Sequence, residues 1–133
     1  MKYLTIGSLL LAAAAVGAAS AEPPPMTPKQ EADFQKAIEG RTAGQTQSCV
    51  SLRLLRGNKT YGEGVIVFEG QSNSVVYVNR PPYGCPELRW DRALKTRTST
   101  DQLCSNDVVT VVDPRGGMQF GSCSLGDWTP YRK

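Results

Sequence analysis

Gly64–Asn79 reads GVIVFEGQSNSVVYVN, and this stretch decides the fold. Two β-branched runs, Val65–Phe68 and Val75–Val78, flank the turn-rich segment Gly70–Ser74. That pattern predicts a β-hairpin. Working outward, Asp107–Asp113 (DVVTVVD) and Gly117–Ser122 (GMQFGS) joined through PRGG predict a second hairpin, and Arg92–Thr98 (RALKTRT) alternates with Lys95 and Arg97 facing away from Leu94. Val50, Leu52 and Leu54 alternate with Ser51 and Arg53, predicting a strand from Cys49, and Gly57–Lys59 (GNK) reads as the turn after it. The three prolines of Arg80–Leu88 (RPPYGCPEL) remove backbone donors, so that segment reads as a loop. Ser124–Tyr131 (SLGDWTPY) closes the chain. Short strands punctuated every 8 to 12 residues define an all-β class: a small antiparallel sandwich or barrel.

Upstream the periodicity is helical. Thr27 suits an N-cap, Pro28 the first helical position and Gln30 the capping-box position, so one short helix is expected over residues 28–39, ending at Gly40. The lead before it, Glu22–Pro28 (EPPPMTP), reads as extended and mobile, and Gly40–Gln47 as a linker. Residues 1–21 read as a cleavable signal peptide: Lys2, an apolar run and an Ala19-Ser20-Ala21 cleavage site. The expected organisation is therefore a signal peptide over 1–21, a lead, helix and linker over 22–47, and a β-domain over 48–133. The expected location is periplasmic or secreted, with no membrane span in the mature chain.

Export governs how the cysteines are read. Cys49, Cys85, Cys104 and Cys123 form an even set in an oxidising compartment, which predicts two disulfides. Their wide spacing does not fit a zinc site or a C-x-x-C redox pair. Three pairings are possible. The favoured one joins Cys85 to Cys104 across the proline loop and Cys49 to Cys123 between first and last strands.

Histidine is absent from the sequence. That excludes Ser-His-Asp and Cys-His nucleophiles and histidine-ligated metals, and no cofactor or metal is expected. The carboxylates Asp91, Asp101, Asp107 and Asp113 are the raw material left for an enzyme, and their turn contexts favour backbone hydrogen bonding instead. A formal net charge of +3 is too small for a nucleic-acid footprint. The cations are biased, however. Arg89, Trp90, Arg92, Lys95 and Arg97, with Arg53 and Arg80, form the candidate binding patch, because arginine forks pair with carboxylates and phosphates. Against this stands a solvated strand face whose charges block edge-to-edge pairing. Gly121–Gly126 (GSCSLG) matches neither phosphate-loop nor nucleophile-elbow spacing, and Asn58 has glycosylation spacing only.

Four stretches, CVSLR (Cys49–Arg53), YVNRPPYGCPEL (Tyr77–Leu88), RTSTDQLCSNDVVTVVD (Arg97–Asp113) and GSCSLGDW (Gly121–Trp128), together resemble a family of small exported proteobacterial proteins known only as a domain of unknown function. The resemblance spans Ser48 to Tyr131. It implies export and the four-cysteine framework, and no activity. The function expected from all this is a non-catalytic, exported β-domain binding a protein or an anionic envelope component. The alternative is an inhibitor of a secreted lysozyme or protease, with the proline loop as its inserting element.

Overall fold

The structure, a computed structural model, describes residues 22–89 and 91–133. The expected signal peptide (1–21) and Trp90 lie outside the described residues. Among the described residues no helix is long and apolar enough to cross a membrane.

The chain runs α1 (Pro28–Ala37), β1 (Thr42–Ala43), β2 (Cys49–Ser51), a 3-10 turn (Leu52–Leu54), β3 (Leu55–Tyr61), β4 (Val65–Gly70), β5 (Val75–Asn79), β6 (Ala93–Lys95), β7 (Gln102–Cys104), β8 (Val108–Val112), β9 (Gln119–Ser124) and β10 (Trp128–Arg132). The fold is all-β in class, with one short helix. Every strand pair is antiparallel: a five-stranded sheet ordered β1-β10-β5-β4-β3, a three-stranded sheet β6-β8-β9 and a two-stranded ribbon β2-β7. Both expected hairpins form, β4–β5 and β8–β9.

The five-stranded sheet is buried on both faces, which explains why Val65–Phe68 is a continuous apolar run. Ile66, Phe68, Tyr77 and Trp128 face one core with Val50, Leu103, Val109, Val111 and Leu125. Trp128 is fully buried, its ring edge-on to Phe68 with centroids 4.8 Å apart. On the opposite face Tyr61, Val65, Val67, Val76 and Val78 meet Phe34 of α1. The helix carries its capping box: Gln30 N donates to Thr27 Oγ1 (3.2 Å) and Thr27 N donates to Gln30 Oε1 (2.9 Å). Phe34 is its buried anchor, edge-on to Tyr61.

Asn79 is the buried polar residue at the join between β5 and β10. Its amide donates to Gly126 O (2.8 Å) and its Oδ1 accepts from Gly126 N (2.9 Å), so the side chain stands in for a peptide group. Gly126 lies so close to the Arg80 backbone that a Cβ there would collide with Arg80 O.

Several expectations are corrected. The disulfides are Cys49–Cys104 and Cys85–Cys123, not Cys85–Cys104 with Cys49–Cys123. Cys49 and Cys104 are direct partners in the β2–β7 ribbon, with Cα atoms 4.0 Å apart. Cys85, buried in the core, bonds instead to Cys123 of β9. Bridging sequence separations of 55 and 38, each contributes about 4 kcal/mol in the chain-entropy account. The Gly57–Lys59 turn is not a turn. It lies within β3, where a register shift between Leu55 and Asn58 absorbs the glycine as a bulge. The strand from Cys49 breaks after Ser51 into the 3-10 turn. The helix ends at Ala37, and the expected linker supplies β1, which pairs with the end of β10. The lead is not free. Pro23 packs so tightly that a Cβ on Gly64 or Gly84 would lie 2.9 Å from its ring, and Gly84 also holds φ 71°, a conformation glycine adopts without strain.

Candidate functional site

The structure does not bring the expected basic patch together. Arg92 is half-withdrawn into the fold: its Nη1 donates to Glu87 O (3.0 Å) and pairs with Glu87 Oε2 (2.8 Å), and its guanidinium stacks 3.6 Å from the Phe120 ring centroid. It fastens the proline loop to β9. Arg53 pairs with Asp101 at 3.2 Å, both exposed. Arg80 lies on the helix side of the five-stranded sheet, 5.4 Å from the Phe34 ring, where it and Pro81 border a cavity of about 540 Å³ with the lead. Arg89 is exposed. Of the whole set, Lys95 and Arg97 share one surface, a shallow depression of about 220 Å³ with Val108, Thr110 and Gln119 on the outer face of β6-β8-β9.

The carboxylates take structural positions. Asp107 Oδ2 accepts from Cys104 N (2.7 Å) and Asp113 Oδ1 from Arg115 N (2.9 Å), each closing a turn. Asp91 and Asp113 border a depression of about 470 Å³ with the Arg92–Phe120 stack. Among the described residues no group of three or more potential metal ligands occurs.

The cations that do converge are Arg41, Arg56 and Lys59. They line a groove of about 380 Å³ between the end of α1 and the β3-β4-β5 part of the five-stranded sheet. Val67 and Val76, only 4 % and 8 % exposed, form its floor, with Ala37 and Tyr61 at the helix side and Val75 near the β4–β5 turn. That turn organises the guanidinium groups. Arg41 Nη2 donates to Asn73 O (2.8 Å), Arg56 Nε to Gly70 O (2.7 Å) and Arg56 Nη2 to Asn73 Oδ1 (3.4 Å). Neutral carbonyls thus aim both forks while leaving their charge uncompensated. Among the described residues none of the three cations forms an ion pair, and Arg41 Nη1 is buried without a hydrogen-bond partner. Glu69 is the carboxylate on the rim.

Lys59 Nζ stands 5.5 Å from the Tyr61 ring. Burial, reinforced by the negative charges of Asp33 and Glu69, raises the Tyr61 phenol above its ordinary value, so it stays protonated at neutral pH. The arrangement is suited to holding an oxyanion. Arg41 was hidden in what reads as a linker, and Arg56 and Lys59 flank what reads as a turn. Recognising Leu55–Tyr61 as a bulged strand would have put Arg56, Lys59 and Tyr61 on one face.

Comparison with protein-family models, with curated proteins and with solved structures finds no significant match.

Proposed function

We propose that this protein is an exported, non-catalytic binding domain that takes an anionic component of the envelope in the Arg41–Arg56–Lys59 groove. Export is supported by the signal-like residues 1–21, and the two disulfides indicate an oxidising compartment. The observation that carries the binding role is the convergence of three cations without an ion pair, two of them oriented by the β4–β5 turn. Like charges gathered in one groove repel one another, and a bound anion offsets that cost. The test is capture from native envelope extract. The oxidised protein retains a partner that an Arg56→Glu, Lys59→Glu variant loses, while an Arg89→Glu, Lys95→Glu, Arg97→Glu variant still retains it. Equal capture by all three proteins refutes the groove as the site.

A second reading, inhibition of a secreted hydrolase, has one observation in its favour. Tyr83 is 69 % exposed at the tip of a loop held by the Cys85–Cys123 disulfide and by Cys85 N donating to Glu63 O (2.7 Å). A rigid loop with an aromatic tip binds with little ordering cost. Inhibition of a lysozyme or protease, abolished by Tyr83→Ala, would establish it; a panel without inhibition removes it.

A further inference from the structure

The groove differs from a flat basic surface in one respect: it has an apolar floor. Val67 and Val76 lie under it, Ala37 and Tyr61 wall one side and Val75 the other, while Arg41, Arg56 and Lys59 supply the charge at its border. Resting on the binding role proposed above, we infer that the ligand is a small amphiphile, an oxyanion (carboxylate or phosphate) carried on a short aliphatic or aromatic body, and not an extended polyanion or an acidic protein face.

Three features argue for this chemistry. First, the volume of about 380 Å³ falls at the lower end of small-ligand pockets, roughly 300–1,000 Å³, whereas a stable protein partner needs on the order of 800 Å² of surface on each side. Second, three cations against the single Glu69 carboxylate leave a balance of two positive charges in the lining, enough for the one charge of a carboxylate head or the two of a phosphate head. A polyanion would bring further charges against Glu69. Third, the forks are held in place before binding. Arg41 and Arg56 share Asn73 through its backbone oxygen and its side-chain oxygen respectively, and Arg56 Nε is fixed on Gly70 O. Gly70 itself is packed so closely on Val75 that a Cβ would fall 2.6 Å from Val75 Cγ1, so the turn carrying these acceptors is tightly closed. Preorganised guanidinium forks favour a planar or tetrahedral oxyanion held by several donors, and the part-exposed Ala37 and Val75 beside them favour a short apolar body that excludes water there.

The experiment is a titration of the oxidised, isotope-labelled protein followed by amide and arginine Nε–H NMR signals. The probes are hexyl phosphate, hexanoate, hexanol, inorganic phosphate and dextran sulfate. Hexyl phosphate or hexanoate is expected to shift the Gly70, Asn73, Val76 and Arg56 signals saturably, binding at least tenfold tighter than inorganic phosphate or hexanol. Which of the two binds tighter identifies the head group. Arg56→Gln and Lys59→Gln should each weaken binding at least tenfold, and Arg56→Lys should fall between. Glu69→Gln, which removes the rim carboxylate, should tighten it severalfold. Arg41 is partly buried and its replacement would disturb packing, so the variants are confined to the exposed Arg56, Lys59 and Glu69. A result in which neither hexyl phosphate nor hexanoate binds tighter than inorganic phosphate and hexanol overturns the inference, as does the absence of saturable shifts at the groove. Dextran sulfate binding that Arg56→Gln and Lys59→Gln abolish, with no binding of either amphiphile, refutes the small-amphiphile inference and leaves the anionic-partner role standing. Failure of every anion at the groove refutes both.

Discussion

Replacing Asn79 tests the join on which the five-stranded sheet depends. Asn79 is fully buried and satisfies both backbone groups of Gly126 through its own amide, at 2.8 and 2.9 Å. Asn79→Ala deletes both hydrogen bonds and leaves a part-buried N–H and a part-buried C=O of Gly126 without their partner. At about 1–3 kcal/mol for each stranded group when fully buried, the expected loss is at most roughly 2–6 kcal/mol. That is a large fraction of the roughly 5–15 kcal/mol that holds a domain of this kind. Asn79→Asp separates the two bonds. The acceptor to Gly126 N survives, while a carboxylate oxygen now faces Gly126 O. Burial and that repulsion raise the folded-state pKa of the new carboxyl above its unfolded value near 3.9. A raised folded pKa stabilises fully below the unfolded value and loses that contribution as pH rises through the folded one. The Asp variant should therefore approach the parent protein near pH 4, where the protonated acid donates to Gly126 O, and fall well below it at pH 7. The assay is urea unfolding of the oxidised proteins at both pH values, with the m-value unchanged between variants. A loss under 1 kcal/mol for Asn79→Ala, or an Asp variant whose deficit does not shrink on acidification, would refute the reasoning.

The remaining predictions concern the staples and the helix. Peptide mapping without reduction should recover Cys49 linked to Cys104 and Cys85 linked to Cys123, and the double variant Cys49→Ser, Cys104→Ser should lose about 4 kcal/mol by denaturant titration. Phe34→Ala removes the buried anchor of α1 and should cost about 3–5 kcal/mol, with amide exchange over Pro28–Ala37 rising toward the unfolded rate. Tyr61 has its pKa raised by burial, so the stability it contributes is present below pH 10 and is lost as pH rises past that value. The Tyr61→Phe variant should show a flatter thermal-stability profile between pH 9 and pH 11 than the parent, and identical slopes would refute this assignment.

What the sequence made legible follows from where local pattern and tertiary environment agree. Val65–Phe68, Val75–Val78 and Val108–Val112 are β-branched runs between turn residues, and each is a strand in the structure. Thr27, Pro28 and Gln30 announce the helix because a capping box is a purely local device. Three kinds of feature were hidden. Gly57-Asn58-Lys59 has turn composition, yet edge-strand pairing with β4 overrides it through a bulge. The cysteine pairing depends on which strands become neighbours, and β2 and β7 have three residues each, too short for their partnership to be read from periodicity. The lead's docking rests on Gly64 and Gly84 allowing Pro23 to approach, a contact between segments far apart in the chain. The groove combines these difficulties. Arg41 comes from an apparent linker, Arg56 and Lys59 from an apparent turn, and Asn73 from a hairpin loop. The patch that did stand out, Arg53 to Arg97, is dispersed because alternate strand positions face opposite sides and because Glu87 and Asp101 engage two of its arginines.

The measurement that tests the central claim most directly is calorimetric titration of hexyl phosphate and of hexanoate into three oxidised proteins at low and at physiological salt. These are the parent, the groove variant Arg56→Glu, Lys59→Glu, and the outer-sheet variant Arg89→Glu, Lys95→Glu, Arg97→Glu. Circular dichroism should first establish that all three share one fold. A groove that is the anion site predicts salt-sensitive binding by the parent and the outer-sheet variant, with the groove variant at least tenfold weaker. Undiminished binding by the groove variant, or its loss in the outer-sheet variant instead, would contradict it.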